Sequence, residues 1–404
     1  MRRKNLRNAQ MQKQAPSASR QKIRRKPFDW GIFLVVVGLL IFGVLMVFSA
    51  SAPYAAKTRG DSQFFLKRDV VYALLGLVVM VGLSFLDFRV YKRHAWGIYL
   101  FAFLLCILVF LPKIGVSVNN ARRWIGYGSY TLMPSDVMKV ASVILLSYLL
   151  TRQPANRNGS FGTFFWVMIL ILLTILPIYK QPNFSAVVVI GMTLIVLYFI
   201  NGMNLRLTVL LVILLGIGGL IAFWPYPGNY RLERVLIILD PLKDVMNSTW
   251  QLVQSLFAVS SGGLFGVGYG QSRQKFDYLA DEPHNDFIFS VISEELGFFG
   301  CLLLFAAFVY LVYRCLKVAE RCEDPFARSL VLGLCFVIAF QAAVNIGVAI
   351  GLVPTTGITL PFISYGGSSL LIMCGIIGII LNISRHKEGD FSRRTHRDRR
   401  EERS

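Results

Sequence analysis

The chain has 404 residues, of which 55% are hydrophobic, 13% aromatic and only 16% charged. A typical soluble protein is about 25% charged, so this chain has too few charged residues to cover a water-soluble body of its size. The composition excludes a disordered chain, a secreted disulfide scaffold and a nucleic-acid-binding domain. It predicts an all-α, polytopic integral membrane protein.

The net charge of +20 comes largely from the two ends of the chain. Basic residues crowd segment 1–27, before the first apolar run, and segment 385–404, after the last one. Polybasic segments beside membrane spans mark the cytoplasmic side and attract anionic lipid headgroups. We therefore predict two basic cytoplasmic tails that contact membrane lipids, and no nucleic-acid partner.

The apolar residues fall into long runs, and a spanning helix needs roughly 20 mostly apolar residues. An even number of spans places both termini on one side, and the basic loops favour the cytoplasm for that side. Residues 28–384 thus form a predicted membrane domain, with a long extracytoplasmic loop, 224–285, between spans seven and eight. The ten predicted spans are Gly31–Ala50, Val70–Phe88, Ala95–Leu111, Val137–Leu150, Phe164–Tyr179, Phe184–Ile200, Leu207–Phe223, Phe287–Tyr313, Ser329–Leu352 and Gly367–Ile383.

The cysteine and glycine patterns give little evidence for a metal site or a phosphate site. The six cysteines lie mostly inside apolar runs without metal-ligand spacing, so we interpret them as small buried hydrophobes and predict no protein metal site. The glycine-rich run Ser261–Gly270 permits close backbone packing. It is weak evidence for phosphate binding, because no strand or Walker lysine accompanies it.

Ionisable and polar residues near membrane depth are expensive, so each is a functional candidate. Asp286 would begin a helix whose Ser290 and Ser293 continue one polar stripe, with Glu294 close to it. This stripe would face a groove holding water or substrate. The alternative is structural, with a helix cap at Asn285 or Asp286 and an ion pair from Glu294 or Glu295 to a lysine such as Lys139.

Two further segments have both a functional and a structural interpretation. Arg122 and Arg123 could bind a phosphate or carboxylate, or could anchor the chain at the membrane interface beside Trp124. The segment Pro361–Ser369 interrupts a span, and irregular backbone at that depth must be covered by protein or line a cavity. Its residues Ser364, Tyr365 and Ser368 could therefore face a groove, or the serines could cap a helix.

Asp136 and Lys139, three residues apart, could share one helix face. With the segments above they complete a pattern that resembles the SEDS family of bacterial FtsW, SpoVE and RodA proteins. The resemblance covers about residues 28–384, and Phe48–Ala52 and Gly357–Pro361 are more similar to FtsW or SpoVE. The matching motifs are Ala121–Ile125, Pro134–Lys139, Gln254–Ser255, Ser261–Gly263, His284–Phe289, Glu294–Gly297 and Leu360–Ser369.

Several positions depart from the family pattern. Asp136 stands where Glu is common, Met133 where Gln is common, and Asn120 where Gly is common. Pro182–Ser185 replaces a frequent Pro-Asp-Leu-Gly, and the stretch before Asp286 is one residue longer than usual.

The resemblance implies a peptidoglycan glycosyltransferase that polymerises lipid II at the outer face of the bacterial cytoplasmic membrane, for septal or spore cell-wall synthesis. The expected location is the division septum. It implies a class B penicillin-binding protein and other divisome or cell-wall synthesis proteins as partners. Asp286 would be the catalytic base, and Glu294 and Glu295 would be structural or line the groove. The substrate-binding residues would be Arg122, Arg123, Trp124, Lys139, Ser290, Ser364, Tyr365 and Ser368.

The cations beside the leaving diphosphate would be Arg123, Lys139 and Arg122, or a divalent Mg or Mn ion bridged by the diphosphate itself. Two other functions use part of the same sequence pattern. A lipid II flippase would need the groove and the cations but not Asp286, and a scaffold that only recruits a penicillin-binding protein would need neither.

Overall fold

The computed structural model describes residues 28–112, 114–118, 121–127, 130–152, 160–202, 205–222, 250–276, 279 and 283–386. Segment 1–27, residues 387–404 of the second predicted tail and half of the predicted loop 224–285 lie outside these residues. The described helices are α1 (Trp30–Arg59), α2 (Phe64–Phe85), α3 (Arg89–Arg93), α4 (Ala95–Leu108), α5 (Pro134–Arg152), α6 (Phe161–Lys180), α7 (Phe184–Ile200), α8 (Leu205–Ala222), α9 (Trp250–Ser261), α10 (Ile288–Glu320), α11 (Pro325–Ala349) and α12 (Gly367–Ser384). The described strands are β1 (Gly115–Val118), β2 (Ala121–Tyr127) and β3 (Tyr130–Leu132).

Each of the ten predicted spans coincides with one of these helices. Within the described residues, six helices are long and apolar enough to cross a membrane: α1, α5, α6, α10, α11 and α12. Helices α4 and α7 are apolar but shorter, as is the N-terminal part of α8. The structure therefore has the helices of a multi-pass membrane protein, and the count of ten spans stays a prediction.

Polar side chains begin several of these helices. Asp29 accepts a hydrogen bond from the backbone N–H of Ile32, and Asn183 accepts one from that of Ala186. Asp324 accepts from the N–H groups of Phe326 and Ala327, ahead of a proline in the first turn. These contacts satisfy N–H groups that have no partner inside their own helix.

Helices α5, α7 and α11 form the centre of the bundle, where each packs against the other two. Their contact is close at Gly333, where an added Cβ would lie 2.6 Å from Val143 and 3.2 Å from Leu197. Around this centre, α10 packs on α11, α4 on α5, and α2 on both α1 and α12. The buried face of α11 is therefore surrounded by protein rather than lipid, which permits polar residues there.

The two ends of the membrane domain meet. The backbone N–H of Asp29 donates to Ser384 Oγ at 3.1 Å, and Arg314 Nη2 donates to both Asp29 carboxylate oxygens at 2.6 and 2.7 Å. The start of α1, the C-terminal part of α10 and the end of α12 thus lie at the same end of the bundle. This agrees with an even number of crossings, and the assignment of that end to the cytoplasm stays a prediction.

The expected all-α fold needs one correction, because the structure contains a three-stranded antiparallel sheet in the order β1-β2-β3. Val116 pairs with Trp124 and Ile125 pairs with Leu132, with an irregularity between Val116 and Ser117. The motif Ala121–Ile125, which precedes the predicted fourth span, is most of the central strand. These strands of three to seven residues lie between long helices and bury little surface, so their alternation is a weak signal in sequence.

Helix α10 is broken at Gly297, which has φ 65°. The glycine-rich segment after α9 forms hydrogen bonds with backbone groups on both sides of the break. Its Val267 and Gly268 N–H groups donate to the carbonyls of Glu294 and Glu295, while Phe298 N–H donates to Gly263 O. An added Cβ at Gly266 would collide with the backbone of Glu295. The predicted close backbone packing of the glycine-rich run is therefore confirmed.

Candidate active site

A cleft opens where the start of α5, the start of α7, the face of α11, the segment after α11 and the start of α12 meet. The space between these elements is ≈ 300 Å³, which includes open solvent. It is lined by Met133, Asp136, Lys139, Asn183, Ala186, Gln341, Gly357, Ile358, Thr359 and Ser369. These residues come from five separate parts of the sequence, so the cleft exists only in the folded chain.

Lys139 is the buried cation of this cleft. Its Nζ lies 2.7 Å from Asp136 Oδ1 and 2.9 Å from Gln341 Oε1, and the lysine is 4% exposed. The predicted shared helix face of Asp136 and Lys139 is confirmed. Lys139 does not pair with Glu294 or Glu295, so that part of the structural alternative is wrong.

Asp286 and Arg123 both reach the cleft at Gly357. A Cβ added at Gly357 would lie 3.7 Å from Asp286 Oδ2 and 3.6 Å from Arg123 Nη1. The carboxylate and guanidinium atoms are therefore at most about 7.3 Å from each other, the sum of these two distances. Residues 163 positions apart in the chain thus come together at one cleft-lining glycine, where a carboxylate can accept a proton beside a cation that binds an anion.

Strand β2 and the α6–α7 turn hold Arg123. Its Nη2 donates to the carbonyl of Pro182 at 2.6 Å, and the side chain is half-buried. Arg122, the preceding residue, is exposed, and Trp124 is half-buried. Of the two arginines, only Arg123 is placed beside the cleft-lining Gly357, because successive strand residues point to opposite faces.

The turn before α10 holds Asp286. Helix α10 begins at Ile288, and Phe287 occupies the N-cap position with a side chain that cannot accept a hydrogen bond. The N-cap position is therefore Phe287 and not the predicted Asn285 or Asp286. The half-buried Asp286 lies one residue before it.

His284 anchors that turn. Its ring is buried and lies 4.3 Å from the Phe65 ring, 5.4 Å from the Tyr365 ring and 6.0 Å from the Tyr54 ring, measured between centroids. Tyr365 N–H also donates to the His284 carbonyl at 3.0 Å. Burial lowers the pKa of His284 to about 3, so the imidazole is neutral at physiological pH.

Glu294 and Glu295 stabilise the segment that follows α9. Glu295 pairs with Lys275 at 2.8 Å and accepts from Ser49 Oγ at 2.6 Å, while Glu294 accepts from Ser272 Oγ at 2.5 Å. The structural interpretation of an ion pair holds for Glu295, with Lys275 as its partner. The sequence could not identify this lysine, since Lys275 reaches Glu295 only because the glycine-rich segment folds back onto α10.

The serines predicted to bind substrate have partners within the protein. Ser290 Oγ lies 2.6 Å from Ser255 Oγ, and both serines are fully buried. Ser364 Oγ accepts from Leu360 N–H at 2.7 Å, and Ser368 Oγ accepts from Met133 N–H at 3.3 Å. None of the three is among the residues that line this cleft, and their contact with substrate stays a prediction.

The sequence analysis missed the polar residues of α11. Gln341 and Asn345 are each 1% exposed, although they lie inside an apolar helix. Gln341 Nε2 donates to the carbonyl of Thr359 at 3.0 Å, which ties the lysine site to the segment after α11. Two amide residues four positions apart in a span share a helix face, and that spacing was the available signal.

The family profile described as "Cell cycle protein" (FtsW, RodA, SpoVE) matches residues 30–389. The chain belongs to this family. It is 38% identical to Stage V sporulation protein E of Bacillus subtilis (strain 168) over 357 residues, covering 88% of this chain and 97% of that protein. It is 37% identical to the probable peptidoglycan glycosyltransferase FtsW of Trichlorobacter lovleyi over 372 residues, covering 90% and 96%.

Solved structures of the family share the fold. One, described as structural coordination of polymerization and crosslinking by a peptidoglycan synthase complex, matches with a TM-score of 0.74 at 28% identity, covering 90% of this chain and 99% of that one. The rod shape determining protein RodA of Thermus thermophilus matches with a TM-score of 0.66 at 26% identity, covering 89% and 98%. The predicted membership in the FtsW, SpoVE and RodA family is confirmed, and with it a multi-pass membrane protein.

Proposed function

We propose that this chain is a peptidoglycan glycosyltransferase that polymerises lipid II into glycan strands at the outer face of the cytoplasmic membrane and releases undecaprenyl diphosphate. Relatives that are 37–38% identical to it over 370–372 residues are named probable peptidoglycan glycosyltransferase FtsW. The observation that carries the proposal is the placement of Asp286 and Arg123 together beside Gly357, at the edge of a cleft that also contains Lys139.

Asp286 is the general base in this proposal. The acceptor hydroxyl attacks C1 of the donor sugar and loses its proton as the new glycosidic bond forms. A positioned carboxylate that accepts this proton contributes typically about 10²- to 10⁴-fold to the rate. The half-buried Asp286 is suited to this task because it reaches the cleft wall at Gly357.

Arg123 and Lys139 stabilise the diphosphate that leaves. The planar guanidinium of Arg123 can bind two phosphate oxygens at once. Lys139 uses two of its three donors on Asp136 and Gln341, so its third can point to a phosphate oxygen in the cleft. The exposed Arg122 is further from this position and contributes through long-range attraction.

A divalent cation is not held by the protein alone in this proposal. Within the described residues there is no group of three His, Cys, Asp or Glu side chains that could hold a metal ion. Asp136 already has Lys139 as its counter-charge. A Mg or Mn ion would therefore bind mainly to the diphosphate of the substrate, where it would neutralise phosphate charge.

The partners follow from the same proposal. A class B penicillin-binding protein crosslinks the strands that this chain makes, together with other divisome or cell-wall synthesis proteins at the septum. The similarity to a solved peptidoglycan synthase complex that couples polymerization and crosslinking supports this partnership.

The test is a reaction of the purified chain with lipid II in lipid vesicles. We expect glycan polymer and free undecaprenyl diphosphate. Movement of lipid II across the bilayer without polymer would favour a flippase. If the chain bound a penicillin-binding protein but neither moved nor polymerised lipid II, the scaffold function would replace the proposal.

A further inference from the structure

Asn345 joins two segments at the edge of the cleft. It lies on α11 and is 1% exposed. Its Nδ2 donates to the carbonyl of Asp286 at 2.9 Å and to the carbonyl of Ile358 at 2.7 Å. Both amide protons are therefore used, one on the turn that carries Asp286 and one on the segment that follows Gly357.

Gln341, one helical turn earlier on the same face, has a parallel arrangement. It accepts from Lys139 Nζ and donates to the carbonyl of Thr359. Through these two amides, α11 holds the lysine site, the cleft wall 357–359 and the Asp286 turn in one fixed arrangement. Residues i and i+4 of a helix are neighbours, so the two amides act on adjacent points of the wall.

Contacts of different kinds hold the Asp286 turn. At His284 it is held by the aromatic rings and by Tyr365 N–H, whereas the backbone carbonyl of Asp286 accepts from Asn345. The same amide donates to the carbonyl of Ile358, the neighbour of Gly357. Loss of the Asn345 side chain would therefore remove the link between the Asp286 peptide and the cleft wall that runs through α11, while the His284 contacts remain.

We infer that Asn345 is a positioning residue for catalysis, which sets the Asp286 carboxylate against the cleft wall at Gly357. This inference rests on the proposed function, because it assigns Asn345 a role through the proposed base. Asn345 does not itself need to touch substrate. A displacement of about 1 Å at a reacting group can cost about 10²-fold in rate, so a side chain that holds the base in place can affect the rate strongly.

Asn382 is a matched control. It is also 1% exposed, its Nδ2 donates to the carbonyl of Ser84 at 2.9 Å, and its Oδ1 accepts from Phe88 N–H at 3.0 Å. It lies two residues from Ser384, at the end of the bundle opposite to the cleft. Asn345→Ala and Asn382→Ala each remove a buried amide with two backbone hydrogen bonds, so their structural costs are comparable.

The experiment compares both variants of the full chain in lipid II polymerisation, with thermal unfolding in detergent as the measure of folding. We expect Asn345→Ala to lower kcat by about 10- to 100-fold, within the range for a displaced reacting group, and to change KM by less than about threefold. Asn382→Ala should lose similar thermal stability and keep kcat. Asn345→Thr retains a single hydroxyl donor and should lose less activity than Asn345→Ala. It replaces Asn345→Ala in the comparison if that variant does not fold.

A double variant separates positioning from general support of the fold. If Asn345 acts through the base, Asn345→Ala should change polymerisation little in an Asp286→Asn background. Equal kcat in Asn345→Ala and Asn382→Ala, or an undiminished Asn345 effect in the double variant, would overturn the inference while the proposed function stands. Full polymerisation by Asp286→Asn alone would instead overturn the proposed base.

Discussion

Asp286 Oδ2 and Arg123 Nη1 both approach Gly357, each within about 3.7 Å of the point where a Cβ of residue 357 would lie. A large side chain at this position would therefore crowd both groups. The space around Gly357 accommodates a Cβ in ordinary van der Waals contact, so a single methyl group is tolerated.

We accordingly predict that Gly357→Ala keeps most of the polymerisation activity, whereas Gly357→Leu loses it. The leucine side chain would crowd the carboxylate and the guanidinium and take up space in the cleft that Gly357 lines. Thermal unfolding of both variants in detergent should show that they fold. Equal activity of the two folded variants would mean that substrate does not pass this point.

The diphosphate role of Arg123 and Lys139 predicts that Arg123→Ala and Lys139→Ala lower polymerisation. Lys139→Ala should also lower the free energy of unfolding, because Asp136 would be left as an unpaired buried charge, at a cost of roughly 3–5 kcal/mol. Arg123→Lys should recover only part of the activity, since lysine keeps the charge but not the planar fork.

Lys275→Ala is the control for the stability part of that result. It breaks the buried 2.8 Å pair with Glu295, and neither residue lines the cleft. It should destabilise the protein to a similar extent while the folded fraction keeps its specific activity. If folded Arg123→Ala and Lys139→Ala polymerise lipid II at the parent rate, these residues do not stabilise the leaving diphosphate.

Burial of His284 predicts a pH dependence of stability. The pKa of His284 is about 3 in the folded protein and 6.5 ordinarily. Between pH 3 and pH 6.5 the imidazole therefore binds a proton in the unfolded chain but not in the folded protein. Stability from this residue is complete above pH 6.5 and declines as the pH falls below it. At pH 5 the loss is about 2 kcal/mol by the linkage relation. Thermal unfolding should be measured at pH 7.5 and pH 5. The unfolding temperature should fall less between these values for His284→Phe than for the parent. Equal falls would contradict the buried neutral state.

The predicted orientation can be tested with two exposed serines. Ser62 follows α1, close to the Tyr54 and Phe65 rings that contact His284, and Ser160 precedes α6. A cysteine at Ser62 should react with an impermeant thiol reagent added outside cells, and one at Ser160 should not. The parent's six cysteines, four buried and two half-buried, set the background. The same pattern is expected at Ser248 and Asn158, which lie outside the described residues, and the reverse pattern would overturn the orientation.

The sequence predicted the helices well because an apolar run of membrane length is stable in few structures besides a spanning helix. It also placed Asp136 beside Lys139, since a spacing of three defines one helix face. It missed strands β1–β3, whose alternation is short and lies between strong helical signals. It could not find the pairing of Lys275 with Glu295, because that contact depends on the fold of the glycine-rich segment and not on any local period.

Some residues of the cleft were likewise predicted from the sequence and others were missed. Asp286, Arg123 and Lys139 were found because charges near membrane spans are costly and few. Gln341, Asn345 and Gly357 were missed because uncharged residues in an apolar helix, or a glycine after it, carry a weaker signal. The serines at 290 and 364 were selected by spacing and composition, yet the folded chain uses their hydroxyls for its own packing.

The central claim is that Asp286 is the general base, and lipid II polymerisation by Asp286→Asn tests it most directly. Asparagine keeps the size of the side chain and leaves the backbone hydrogen bond from Asn345 in place. It cannot accept the proton of the acceptor hydroxyl, so polymerisation should fall by about 10²- to 10⁴-fold, the range for loss of a general base. Lipid II binding and thermal stability should change little. A folded Asp286→Asn protein that makes glycan strands at the parent rate would contradict the account.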